Sequence, residues 1–357
     1  MPRSLASPPQ LRPDGAAGLH GRVTAWYASN ARDLPWRAPD RTPWGVMVSE
    51  FMLQQTPVVR VLPVWREWME RWPEPAGLAA EPAGEALRAW GRLGYPRRAL
   101  RLHAAAQRIV ENHGGRVPAS HGDLLALPGV GGYTAAAISS FAFGNPETVV
   151  DTNIRRVHAR LVGGSALPEP AYTAAEARRA AELMPDPGPD GGALANAWNA
   201  AVMELGALVC TARAPRCGEC PVLDACAWVA AGRPEPHYVP KGQAWAGTDR
   251  QVRGALMGVL RASDDPVPRD ALLSVPGAVP AGGSPLPPGG PDGSAGRDGS
   301  TGPDRPSWPA GTSPEAAPAW ARLAELPAGG EQRRRCLEGL LADGLAHEGP
   351  AGVALPH

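Results

Sequence analysis

The sequence predicts an all-α chain, and three observations carry that expectation. Apolar residues recur at helical spacing with little interruption from Gly21 to about Arg233. Within that stretch, Gly129-Val130-Gly131 joins two short helical segments spanning Leu124 to Phe143. Farther on, Cys210, Cys217, Cys220 and Cys226 fall at C-x6-C-x2-C-x5-C, close enough for four thiolates to wrap one compact centre. A chain of 357 residues accommodates one large domain or two to three modest ones and buries a sizeable core.

The elements follow in order. Met1 to Gly15 is Pro- and Ala-rich without the apolar run of a secretory signal, so residues 1–20 are expected to be a disordered leader. Thr42-Pro43 starts a helix, with a hydroxyl cap and proline at the first position. That helix passes through Glu50 and ends near Thr56-Pro57. Val61, Trp65, Trp68, Met69 and Trp72 mark one face of the next helix, with Pro63 in or near its first turn. Leu87 to Leu93 and Ala99 to Val110 read as helices. So do Asn153 to Leu161, Ala171 to Met184 and Leu194 to Val209. The stretch 275–318 is rich in Pro, Gly and Ser and lacks the apolar residues that offset ordering entropy; it is expected to be disordered. Helical patterns flank it at Gln251 to Arg261 and Glu331 to Asp343, the second with Leu337, Leu340 and Leu341 on one face. Residues 245–357 therefore read as a small C-terminal α/β or winged-helix-like module with a disordered insertion.

The cysteines admit three readings. Four soft ligands at this spacing suit a [4Fe–4S] cluster. A structural zinc usually takes two short C-x2-C knuckles, and only one is present. Two disulfides require an oxidising compartment. Cys336 stands apart and reads as an ordinary helix residue. Formal net charge is +0, so no global basic field announces a nucleic-acid partner; DNA binding would rest on local patches and backbone groups. No apolar run approaches a membrane span, and the cytoplasm is the expected compartment. Lys241 is the only lysine, so amine chemistry elsewhere in the chain has no side chain to use.

Several positions invite chemistry, each beside a plainer role. Glycines at 129 and 131 allow backbone to approach a ligand, and the following helix start offers free N–H groups to a phosphate; a simple turn asks for the same residues. Asp151, before Thr152-Asn153-Ile154, fits a helix N-cap. Glu50, between Ser49 and Phe51-Met52, is unusual in an apolar helix unless it faces solvent. Gln54 and Gln55 suit a surface, and Asp33-Leu34-Pro35-Trp36-Arg37 a proline turn with an aromatic anchor.

Taken together, the glycine hairpin, Asp151 and the cysteine set resemble the helix-hairpin-helix DNA glycosylases of the endonuclease III superfamily. Within it they are similar to the adenine-specific mismatch glycosylases, the MutY type, from about Trp26 to about Pro240. The resemblance implies a core at 21–240, with a six-helix subdomain at about 44–150 and an iron–sulfur subdomain built from 21–43 and 151–240. It implies a [4Fe–4S] cluster on the four cysteines and a monovalent cation at the hairpin. Glu50 would be the general acid that protonates adenine N7, with a pKa raised by an apolar pocket. Asp151 would stabilise positive charge on the sugar, oriented by Asn153. Tyr133 stands where bifunctional relatives carry the Schiff-base lysine; it would donate a hydrogen bond to Asp151 or to the sugar. Implied DNA contacts are Arg37, Gln54, Gln55, Gly129 and Gly131, the wedge segment around Leu93 and Tyr95, and Arg213 and Arg216 in the cysteine loop. Thr152 and Pro96 depart from the family pattern, and the C-terminal module does not read as the Nudix-like domain of many relatives. The expected activity is monofunctional removal of adenine opposite 8-oxoguanine or guanine in double-stranded DNA, by a monomer. A thymine or uracil mismatch glycosylase, a bifunctional glycosylase/lyase and a non-catalytic iron–sulfur DNA-binding protein are the alternatives.

Overall fold

The computed structural model describes residues 15–188, 192–239, 242, 245–274 and 313–357. In chain order the first helices are α1 (Gly15–Asn30), α2 (Pro43–Leu53), α3 (Val58–Arg71), α4 (Pro75–Ala79), α5 (Ala83–Trp90) and α6 (Arg97–His113). Next come α7 (His121–Leu125), α8 (Gly132–Phe143), α9 (Thr152–Leu161), α10 (Ala174–Glu182), α11 (Ala193–Leu208) and α12 (Ala227–Ala230). The C-terminal part holds α13 (Asp249–Ala262), α14 (Arg269–Leu273), α15 (Ala317–Ala324), α16 (Gly330–Ala342) and a hairpin of β1 (His347–Gly349) and β2 (Gly352–Ala354). No helix among the described residues is long and apolar enough to cross a membrane.

The chain divides into two compact units. One comprises residues up to Ala80 and Ala104–Lys241; the other comprises Glu81–His103 and Gly242–His357. In the first, local chemistry sets the helix ends. Thr42 caps α2 by accepting from Gly45 N at 3.0 Å, with Pro43 at the first position. Thr173 and Glu176 form a reciprocal capping box on α10. α1, α9 and α11 pack through Leu19, Val23, Ile154, Val157, Leu161, Trp198, Val202 and Leu205. Trp198 is 2% exposed, and burying so large an apolar side chain contributes about 2–3 kcal/mol. α2 is buried from Trp44 through Met52, which makes it the floor on which Glu50 sits.

The second unit packs α13, α15 and α16 through Val252, Leu256, Leu260, Trp320, Leu323, Leu337 and Leu340. β1 and β2 pair antiparallel, Glu348 opposite Val353, and Val267 bridges Val353. Helix, bridge residue, helices and a terminal hairpin give this unit the element order of a winged helix. α5 belongs to it: Gly84 N donates to Pro356 O at 2.7 Å. A Cβ on Gly84 would come within 2.6 Å of that oxygen, so only glycine allows the approach.

Two expectations change. The leader was expected to extend to residue 20, but α1 starts at Gly15 and buries Leu19; residues 1–14 lie outside the described residues. The insertion was expected to reach 318, but Ser313 onward is ordered against α15, where Ala316 and Trp320 are buried; residues 275–312 lie outside the described residues, as does Lys241. The run Arg333-Arg334-Arg335 divides between the core and the surface. Arg333 is 1% exposed and donates to Leu323 O, Arg334 pairs with Glu331, and Arg335 pairs with Asp249.

Candidate active site and cysteine centre

Glu50 lies in the last turns of α2 and is only 6% exposed. Its Oε2 accepts from the Tyr133 hydroxyl at 3.1 Å. Burial pushes the Glu50 carboxyl up to about 7; the Tyr133 hydrogen bond and the Arg37 charge oppose the shift, and the Asp151 charge reinforces it. Tyr133 is held protonated, its pKa raised by burial and by the charges of Glu50 and Asp151, so it remains a donor. Of the partners expected for Tyr133, Asp151 is not the acceptor: the hydroxyl goes to Glu50, because Tyr133 opens α8 facing α2.

Asp151 is the N-cap of α9. Its Oδ1 accepts from Ile154 N at 2.7 Å, and its Oδ2 from Asn153 Nδ2 at 2.8 Å. Burial raises its pKa, and these donors together with Arg156 pull the other way. In its capping role both oxygens are held by donors that favour the anion. Asn153 is fixed in turn, since its Oδ1 accepts from Arg156 Nη2 at 2.8 Å. Arg156 also donates to Cys210 O and Gly206 O, each at 2.7 Å. A continuous set of hydrogen bonds thus runs from Asp151 to the backbone of the first cysteine.

Arg37 was singled out as a DNA contact. Its Nη1 instead donates to Glu204 Oε2 at 2.9 Å, with its side chain 20% exposed. Arg32 clasps the same carboxylate through Nε and Nη2 at 2.6 and 2.7 Å. Burial alone would raise Glu204, but the hydrogen bonds from Arg32 and the charge of Arg37 hold it down to about 2. Glu204 was missed in the sequence. The signal that marked Glu50, a carboxylate inside an apolar helix, was equally present in Met203-Glu204-Leu205.

The four cysteines are unpaired and half-buried. Burial pushes the Cys220 thiol up to about 11, with Cys210, Cys226 and Cys217 adding to the rise, so the four sulfurs share one neighbourhood. Arg160, buried, donates to Cys210 Sγ at 3.4 Å. Among the described residues, no three side chains of ligand type converge on the place of a single ion. Four cysteine thiolates in one neighbourhood are the donor set of a [4Fe–4S] cluster.

The remaining candidates separate by exposure. Gly129 has φ +78° and turns the chain between α7 and α8; Gly131 caps α8, and a Cβ on Gly131 or Gly132 would meet nothing within 4 Å. Gln54 reaches Thr134 Oγ1 at 3.4 Å, and Gln55 is exposed with φ +56°. Arg213 is exposed. Arg216 is exposed but folds back on Leu208 O and Glu219. In the second unit Tyr95 is 38% exposed, whereas Leu93 is 4% exposed and belongs to the core; the expected surface role of Leu93 does not fit its burial.

Residues 48–182 match the HhH-GPD superfamily of base excision DNA repair proteins, and residues 210–226 match the iron–sulfur binding domain of endonuclease III. The chain is thus a DNA-binding repair enzyme whose four cysteines hold a [4Fe–4S] cluster. In structure it is similar to a thermostable thymine-DNA glycosylase, with a TM-score of 0.54 and 27% identity over 60% of this chain and 97% of the other. It shares the fold of endonuclease III in a non-covalent DNA complex, with a TM-score of 0.50 and 22% identity over 61% and 97% of the two chains. The adenine DNA glycosylase of Mycobacterium tuberculosis is 48% identical over 275 residues, 76% of this chain and 87% of the relative. That of Mycolicibacterium smegmatis is 52% identical over 250 residues, 70% and 83%. At this identity and coverage, the chain belongs to the adenine DNA glycosylase family.

Proposed function

We propose that this chain is a monofunctional glycosylase that hydrolyses the N-glycosidic bond of adenine paired with 8-oxoguanine or guanine in double-stranded DNA, acting as a cytoplasmic monomer. The observation that carries the reading is the buried Glu50–Tyr133 hydrogen bond beside the N-capping carboxylate of Asp151. A carboxyl poised near neutrality can give its proton to adenine N7. The protonated base is the better leaving group, and the C1′–N9 bond breaks with its electron pair going to N9. Asp151, held by Ile154 N and Asn153, faces the oxocarbenium charge as an anion. Water then adds to C1′ and loses a proton to a site carboxylate, leaving adenine and an abasic strand. Tyr133 orients the Glu50 proton and offers no amine, so no Schiff base forms.

The hairpin around Gly129 and Gly131 would hold the DNA backbone and a monovalent cation, Gln54 and Gln55 would sit at the bases, and Tyr95 would enter the stack as the wedge. The bound cluster supplies a fixed loop, not chemistry. A pyrimidine reading is weaker, because thymine release has no N7 for Glu50 to protonate. The test is base release from duplexes carrying each base opposite guanine and opposite 8-oxoguanine. Adenine should leave, with strand breakage only after alkali. Borohydride trapping of enzyme on DNA, or preferential thymine release, would overturn the reading.

A further inference from the structure

The turn between α5 and α6 is built to present one side chain. Gly91 and Gly94 have φ of +53° and +84°, and Tyr95 itself lies at +48°, a left-handed conformation that costs a bulky residue energy. Trp90 Nε1 and Arg98 Nη2 both donate to Gly94 O at 3.0 Å, which pins the peptide just before Tyr95. Arg98, itself buried, faces the rings of Trp90 at 5.1 Å and Tyr95 at 5.6 Å. The tyrosine emerges exposed from this support.

A second guanidinium reaches the same ring from α13 of the same unit. Arg250 Nη2 donates to the Tyr95 hydroxyl at 2.7 Å. Its guanidinium lies 4.8 Å from the Tyr95 ring centre and 5.8 Å from that of Trp245, which is 54% exposed. An exposed arginine between two exposed aromatic rings is the chemistry that stacks nucleobases and attracts phosphate. It also restricts Tyr95: a ring held at face and hydroxyl has less rotamer freedom to lose when it enters a base stack.

We propose that Arg250 is a positioning residue for Tyr95, through which the C-terminal module sets how strongly the base opposite the target adenine is weighed. This deepens the proposed function and rests on its reading of Tyr95 as the wedge. The arrangement gives the described helices of this module a physical route to opposite-base discrimination.

The test uses the full-length protein with its cluster, as Arg250→Ala, Arg250→Lys, Tyr95→Phe, the Arg250→Ala/Tyr95→Phe double variant, and Arg322→Ala as an exposed control from the same module. Single-turnover adenine release is measured opposite 8-oxoguanine and opposite guanine. In parallel, the fluorescence of 2-aminopurine placed next to the pair reports unstacking on binding. Arg250→Ala should lower the 8-oxoguanine/guanine rate ratio by about fivefold, with a matching loss of 2-aminopurine signal. Tyr95→Phe should lower it similarly, the double variant should be no worse than the stronger single one, Arg250→Lys should recover part, and Arg322→Ala should match wild type. An unchanged ratio and signal in Arg250→Ala, even with a lower Tm, would overturn the proposal; so would effects that multiply in the double variant. If the wild-type protein itself shows no opposite-base preference, the mismatch reading fails separately, and the 2-aminopurine comparison still decides whether Arg250 governs the wedge.

Discussion

Glu50 and Glu204 are glutamates set in apolar helices, and they titrate in opposite directions. Two arginines hold Glu204 down as an anion, whereas burial raises Glu50 against the opposing Tyr133 hydrogen bond and the more distant Arg37 charge. The consequence for stability has a definite sign. Glu50 titrates near 4.5 when unfolded and at about 7 when folded, so between those values the folded state binds more proton. Its stability contribution is intact below about pH 4.5 and is lost as pH rises through 7, a penalty of about 3 kcal/mol. Glu50→Gln should therefore resist urea better than wild type at pH 8, with the gap closing toward pH 5; a gap that grows at low pH would show the carboxyl to be ionised in the fold. The same substitution should cut adenine release by about 10²–10⁴-fold and flatten the fall in rate above pH 7. Asp151→Asn should reduce release by at least about 10²-fold while mismatch affinity in a gel-shift assay stays within a few-fold, because the lost charge matters only once the sugar is cationic. The N-cap of Asp151 was legible from its place before a helix, and Glu50 stood out among apolar neighbours, while the site roles of both came from the family resemblance. The partner of Tyr133, the burial of Leu93 and the inward turn of Arg37 were not legible, because which helix faces which is decided by packing and not by periodicity.

At the scale of elements, helix positions were readable because caps and apolar stripes are local. The predicted starts at Thr42-Pro43 and near Asn153 fall within a residue of α2 and α9. The three-residue strands of the C-terminal hairpin gave no comparable signal; they are too short for a period to show, and they are defined by pairing with each other, with Val267 adding a bridge to Val353. The junction of α9, α11 and the cysteine loop was also illegible, though it ties the site together. Gly206 on α11 lies so close to α9 that an added Cβ would stand 2.7 Å from Asn153 Cβ and 2.9 Å from its carbonyl oxygen. Arg156 binds Gly206 O, Cys210 O and Asn153 Oδ1 at the same place. Gly206→Ala must push the first turn of α9 outward, and overpacking of this kind costs about 1–3 kcal/mol. We expect a lower urea midpoint, slower adenine release at temperatures where the variant is folded, and fewer than the about four irons per chain that four cysteine ligands imply. Wild-type iron content and rate in a folded Gly206→Ala protein would show that Asn153 does not need the close approach.

At the scale of the whole molecule, the sequence suggested a C-terminal module at residues 245–357. The unit that contains it also contains Glu81–His103. α5 and the start of α6 depend on that module at several points. Gly84 N donates to Pro356 O, Arg88 donates to Arg261 O and Ser263 O, and Arg97 pairs with Asp343. Ala86, Leu87 and Trp90 on α5 are 0% exposed. Truncation after Trp245 would remove these acceptors and expose the apolar face of α5 to water, at about 25 cal/mol per Å² of apolar surface uncovered. The expected outcome is a truncated protein that retains its iron, because the cysteine loop lies in the other unit, but in which the segment from α5 to the start of α6 loses protection. Hydrogen exchange on the cluster-loaded truncation should show amides of residues 83–103 exchanging faster by at least about tenfold, while those of α9 and α11 stay near their full-length rates. Equal protection at 83–103 in both proteins would mean that α5 is supported without the C-terminal helices.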